Sequence, residues 1–153
     1  MRVSPSQHLA MRDSMFAFVH HVHYLVRDLD AIVDFMSANF EMSPITDEVG
    51  SSDHELRESI REARFKVGET IIEFTESLDP ESKYGKRLAE HGPHVMHVAW
   101  GVRSLDQASA RLTANGTRHK VKTGPRGYRT INVDLAEALG THFQLAEEAS
   151  QAP

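Results

Sequence analysis

The amino-acid sequence predicts an α+β domain of two tandem βαβββ modules, and three observations predict it. Residues 21–40 (HVHYLVRDLDAIVDFMSANF) and 97–116 (HVAWGVRSLDQASARLTANG) align without a gap at an offset of 76. They match at His21/His97, Val22/Val98, Val26/Val102, Arg27/Arg103, Leu29/Leu105, Asp30/Asp106, Ala38/Ala114 and Asn39/Asn115. Later in each half a second set of matches, Thr70/Thr141, Glu73/Gln144 and Glu76/Glu147, recurs at an offset of 71. Between them the apolar pattern runs through strand, helix and strands in the same order in both halves. A unit of this size cannot bury its apolar face alone, so the two copies must stack, and matching side chains then converge on a pseudo-twofold axis.

Each element has a local reason. Phe16 to Val26 alternates with β-branched and aromatic residues and reads as a strand. Asp28 or Asp30 can cap the next helix, whose apolar positions Leu29, Ile32, Val33 and Met36 recur at helical spacing. A short extended piece near Met42 to Thr46 and a polar loop, EVGSSDHE, lead to strands at about Ser59 to Val67 and Thr70 to Glu76, joined in a tight hairpin at Gly68-Glu69. The linker LDPESKYGKRLAEHGP holds one short helix before Pro93. The second half repeats the order: a strand from Val95 to Val102, a helix from Leu105 to Ala114 closed by Asn115-Gly116, and a short strand at His119 to Lys122. A turn at Gly124-Pro125-Arg126-Gly127 follows, then strands near Arg129 to Asp134 and Thr141 to Glu147. The expected organisation is one domain over 1–153, with module one at about 16–77, a linker at about 78–93 and module two at about 94–148.

Composition narrows the partners. A net charge of -5 argues against a general nucleic-acid binder. The chain has no cysteine, so disulfides and thiolate metal sites are excluded. No apolar run reaches the ~18 residues of a membrane span, and the first residues lack a signal-peptide core; a soluble, cytoplasmic protein is expected. From Gln107 to Val133 there is no acidic residue, while Arg111, Arg118, Lys120, Lys122, Arg126 and Arg129 fall there. Lys120, Lys122 and Arg126 are therefore candidates to hold an anionic substrate tail such as a phosphate.

Strand alternation decides which side chains share a face. His21 is in phase with His23, and His97 with Ala99 and Gly101. If the last strand of each half curls back over the first, His21, Glu73, His97 and Gln144 meet in a cleft as two symmetry-related pairs. Two imidazoles, a carboxylate and an amide oxygen suit a divalent ion such as Zn, Co, Ni, Mn or Fe with positions left open for water or substrate. His23 and His142 lie two residues from His21 and Gln144 and turn the same way, which makes them candidates for proton return or for binding a substrate carboxylate. Trp100 is out of phase and is expected under the helices. His8, His20, His54, His91, His94 and His119 read as surface or loop residues.

At these residues the sequence resembles the vicinal oxygen chelate (glyoxalase/bleomycin resistance/dioxygenase) superfamily, most closely its methylmalonyl-CoA epimerase-like branch. The resemblance runs from about Phe18 to Glu147 and rests on HVHYLVRDLDAIVDFM, FKVGETIIEFTESL and KRLAEHGPHVMHVAWGVRSLDQASARL. It implies a U-shaped open barrel around a central cleft, a divalent metal on His21, Glu73, His97 and Gln144, and a homodimer. Such epimerases tend to have glutamine in the first module and glutamate in the last strand; here the two are exchanged. Gln144 cannot serve as a base, and the resemblance turns to Glu62, within REARF, as the base, with Glu73 the alternative. The function implied is a metal-dependent epimerase or isomerase that removes a proton next to a carbonyl or CoA thioester. The alternatives are a glyoxalase-type lyase or an iron oxygenase using His21, His97 and Glu73, and a metal-free small-molecule binding or resistance protein.

Overall fold

The computed structural model describes residues 15–49, 59–123 and 129–147. The elements are β1 (Phe16–Val26), α1 (Leu29–Phe40), β2 (Thr46–Val49), β3 (Ile60–Val67), β4 (Thr70–Ser77) and α2 (Lys83–His91), then β5 (His94–Val102), α3 (Leu105–Ala114), β6 (His119–Thr123), β7 (Arg129–Val133) and β8 (Phe143–Glu147). The strands form one mixed eight-stranded sheet in the order β2-β3-β4-β1-β5-β8-β7-β6. Each half contributes four consecutive strands, and the ladder does not close.

The register places the symmetry axis. β1 and β5 run antiparallel with Val22 opposite Val98, so residues equivalent in the repeat face each other. On either side of that pair His21 lies opposite Ala99 and His23 opposite His97. β4 lies parallel to β1 with His23 beside Glu73, and β8 lies parallel to β5 with Ala99 beside Gln144. The 71-residue offset between Glu73 and Gln144 is therefore real in space.

Matching local devices fix the two helices. Asp28, rather than Asp30, caps α1 by accepting from Ala31 N, and Ser104 caps α3 by accepting from Gln107 N. Asp30 instead pairs with Arg61, whose other partner Glu76 accepts from Leu29 N. Module two builds the same triad from Asp106, Arg129 and Glu147, with Glu147 accepting from Leu105 N. Carboxylates at these helix starts meet unpaired N–H groups and the positive end of the helix dipole.

One sheet face is covered by helices. Val26, Leu29, Ala63, Phe65 and Phe74 form one apolar cluster, joined by Ile32, Val33 and Met36 from α1. Val102, Leu105, Ala108, Ile131 and Leu145 form the other, joined by Trp100, which stacks on Phe143 as its strand phase required. Two expectations need correction. The strand expected near Met42 to Thr46 is β2 at Thr46–Val49, because Met42 follows a left-handed Glu41 (φ 55°) and packs on the first cluster. The last strand starts at Phe143, not Thr141, because residues through Gly140 (φ 80°) complete a turn and Thr141 is still bonded to Ala138 O. Among the described residues no helix is long and apolar enough to cross a membrane.

Candidate active site

The sheet face opposite α1 and α3 carries the chemistry, and alternation puts His21, His23, Glu73, His97 and Gln144 on it. His21 Nε2 and His97 Nε2 lie 3.2 Å apart. Burial pushes the His21 imidazole down to about 3, helped by the neighbouring His97, His20 and Arg64. His97 falls to about 4, again through burial first, then His142 and Arg87. Both rings are thus neutral at pH 7 and can offer a lone pair. Gln144 acts the other way at both rings, raising their pKa as a nearby acceptor does. Its Nε2 donates to Asn132 Oδ1 at 3.1 Å, which leaves Oε1 as the atom directed at the imidazoles.

Module one differs from module two in what surrounds this centre. The places of Ala99 and Ala146 are taken by His23 and Thr75, all four buried. Thr75 is fully buried, and its hydroxyl donates to Glu62 Oε1 at 3.3 Å. That spends the threonine proton, so the 2.6 Å contact from His23 Nε2 to Thr75 Oγ1 is an imidazole N–H donating to the hydroxyl oxygen. Glu62, Thr75 and His23 form one continuous chain, and the His23 ring then meets His97 edge-on at 5.0 Å between centroids. Burial, with His97, His21 and Arg64 nearby, holds His23 neutral.

The carboxylate and the amide of the two modules have different neighbours. Asn132 is paired with Gln144 across β7 and β8, and the matching residue across β3 and β4 is Arg64, paired with Glu73. Arg64 Nε lies 3.2 Å from Glu73 Oε1, and Arg64 Nη2 lies 3.6 Å from Glu62 Oε2. The Nε contact has ion-pair distance but not hydrogen-bond alignment, since Arg64 Nε is buried without an acceptor.

The rim comes partly from the linker, where the sequence pointed to no candidate. In α2, capped by Ser82 on Gly85 N, Tyr84 sits edge-on to His23 at 6.4 Å between centroids. Arg87 Nε donates to His94 Nε2 at 2.9 Å while Arg87 Nη1 lies 3.5 Å from His142 Nε2. His142 stands beside His97, Asn132, Val133, Phe143 and Gln144 around a small hollow, and its pKa is lowered by burial, then by Arg87 and Lys83. Lys120 and Lys122 pair in register with Asn132 and Thr130, on the edge strand of the same sheet face. Arg126 lies outside the described residues, as do His8 and His54. His20, expected at the surface, is half-buried at a bulge in β1, its Nδ1 2.9 Å from His21 Nδ1.

Sequence reasoning missed Arg64, Thr75, Asn132, Tyr84, Arg87 and His20. Alternation could have found the first two, because Arg64 follows Glu62 by two and Thr75 follows Glu73 by two, and the repeat could have found Asn132, which shares with Arg64 the 68-residue offset that links Arg129 to Arg61. The linker lies outside the repeat, so no internal match could flag Tyr84 or Arg87.

A family model described as the glyoxalase/bleomycin resistance protein/dioxygenase superfamily matches residues 20–133. The chain belongs to that superfamily. Within the vicinal oxygen chelate fold it resembles solved methylmalonyl-CoA epimerases. The Mycobacterium tuberculosis enzyme is 26% identical with a TM-score of 0.75, over 91% of this chain and 93% of that one. A Streptomyces coelicolor epimerase variant in complex with 2-nitronate-propionyl-CoA is 26% identical with a TM-score of 0.73, over 90% and 99%. An epimerase in complex with methylmalonyl-CoA and NH4+ is 26% identical with a TM-score of 0.72, over 88% and 96%. No curated protein sequence matches the chain.

Vicinal oxygen chelate proteins are generally metal-dependent, which makes the donor set worth testing against a divalent ion. Two neutral imidazole nitrogens 3.2 Å apart are close enough to share one ion at bond lengths of ~2.0–2.1 Å, and the Gln144 amide oxygen is turned toward them. Among the described residues no three His, Asp or Glu side chains gather as a metal-holding group. The donors that fit are therefore His21, His97 and Gln144, with Glu73 close by on the adjoining strand and engaged by Arg64.

Proposed function

We propose that the chain is a metal-dependent epimerase or isomerase that removes a proton from carbon next to a carbonyl or CoA thioester. The observation that carries this reading is the chain Glu62–Thr75–His23, which links a carboxylate on β3 to the imidazole that meets His97. Likeness to methylmalonyl-CoA epimerases supports the substrate class.

His21, His97 and Gln144 would hold the ion, with Glu73 joining them only on release from Arg64. When bound, the ion stabilises negative charge developing on the carbonyl oxygen by several kcal/mol. Glu62 takes the proton at its carboxylate, whose Oε1 accepts from the Thr75 hydroxyl and whose Oε2 lies 3.6 Å from Arg64 Nη2. His23 is almost entirely buried and spends its Nε2 proton on Thr75, so its role is to lock this chain rather than to touch substrate. His142, at the rim against Arg87, is available to a substrate carboxylate or to proton return on the opposite side. The two-histidine, one-carboxylate oxygenase reading is less well supported, because Glu73 is engaged by Arg64.

The test is solvent-deuterium exchange into a panel of acyl-CoA thioesters and 2-oxo acids. Glu62→Gln should keep its metal content and slow exchange by roughly 10²-fold or more, the scale of lost general-base catalysis. Absence of exchange with every compound in metal-loaded wild type would remove the isomerase reading.

A further inference from the structure

The two modules present the same strand-pair position with opposite consequences. In module two Asn132 accepts from Gln144 Nε2, and this turns the amide oxygen toward His21 and His97. In module one the equivalent position is Arg64, whose guanidinium draws the Glu73 carboxylate to 3.2 Å and touches Glu62 as well. A carboxylate beside a guanidinium is a weaker donor to a divalent ion, because the two cations repel each other and share one negative charge.

We propose that Arg64 holds Glu73 in reserve, so that a divalent ion must compete with the guanidinium for this carboxylate. The inference rests on the metal reading of His21, His97 and Gln144. The buried Arg64 Nε–H without an acceptor marks the pair as imperfectly satisfied, so the carboxylate is held by charge and proximity rather than by a well-formed bond. Arg64 is accordingly a positioning residue that weakens the metal site although it is no ligand. Glu73 joins the ion only when the gain in coordination exceeds the loss of the ion pair.

The discriminating measurement is the Kd for Co2+ of the full chain, by calorimetry on metal-free protein, with no reference to activity. Arg64→Gln should bind Co2+ more tightly, by on the order of tenfold. Arg64→Lys, which keeps the charge but loses the planar fork, should lie between and guards against a folding defect in Arg64→Gln. Glu73→Gln should change Kd by less than about threefold in the wild-type background and abolish the gain in the Arg64→Gln background. If Co2+ binds wild type, is lost in His97→Ala, and has the same or a weaker Kd in Arg64→Gln and Arg64→Lys, the inference fails while the metal reading stands. If no variant and no wild-type sample binds Co2+, both fail together.

Discussion

At the scale of single residues, the site is defined by burial of bases that must stay uncharged. His21, His23 and His97 each have a folded pKa depressed below an unfolded value of ~6.5, for His21 to about 3 and for His97 to about 4. On acidification the unfolded chain takes up these protons first, so stability is fully present above ~6.5 and is lost as pH falls through the window toward those folded values. Each histidine removes up to about 1.4 kcal/mol per pH unit well below ~6.5. In the presence of a chelator the urea midpoint should therefore drop steadily between pH 7 and pH 5. A midpoint that stays level across that range would show that these imidazoles are not buried as neutral bases. The residue scale also contains the break in symmetry, since Glu62, Thr75 and His23 in module one are replaced by Thr130, Ala146 and Ala99 at the equivalent places in module two.

At the scale of elements, α2 turns a pair of symmetric modules into an asymmetric site. It lies between β4 and β5, outside the repeat, and brings Tyr84 to His23 and Arg87 to His94 and His142. Its seat depends on Gly85, which is buried; a Cβ there would run into the Asp79 carbonyl oxygen and lie 2.6 Å from Pro80 Cα. Backbone cannot give way as a side chain can. Gly85→Ala should cost about 1–3 kcal/mol or more, the range for overpacking, and should shift the helix enough to disturb both rim contacts. A thermal unfolding curve equal to wild type would show that α2 is seated loosely and that its rim residues are not held in place.

At the scale of the whole molecule, an acidic chain carries a local positive edge. Net charge is -5, yet β6 presents Lys120 and Lys122 on the sheet face shared with Gln144. If that edge attracts the phosphates of a CoA thioester, Lys120→Gln with Lys122→Gln should weaken CoA binding several-fold at low salt. The loss should shrink at about 1 M, where the Debye length is only ~3 Å. Affinity that responds neither to the substitutions nor to salt would point to a neutral ligand instead.

The sequence by itself determined the paired modules and the element order, because internal repetition turns offsets of 76 and 71 into spatial equivalence. The structure then put Val22 opposite Val98 and Glu73 and Gln144 in matching places beside the central strands. Alternation also sufficed to turn His23 inward, since the side-chain period of a strand is a local property, whereas Glu62 came from the family resemblance. What only the tertiary structure decided is which partner each inward group meets. Whether Glu73 faces the histidines or Arg64 depends on how β3 registers on β4, and no pattern within either strand encodes that choice. The joining of Glu62 to His23 through Thr75 needs three strands side by side, β3, β4 and β1. The rim needs a helix whose position depends on how its Gly85 packs against Asp79 and Pro80. Strand periodicity orients a side chain, but pairing between strands distant in sequence decides what that side chain can do.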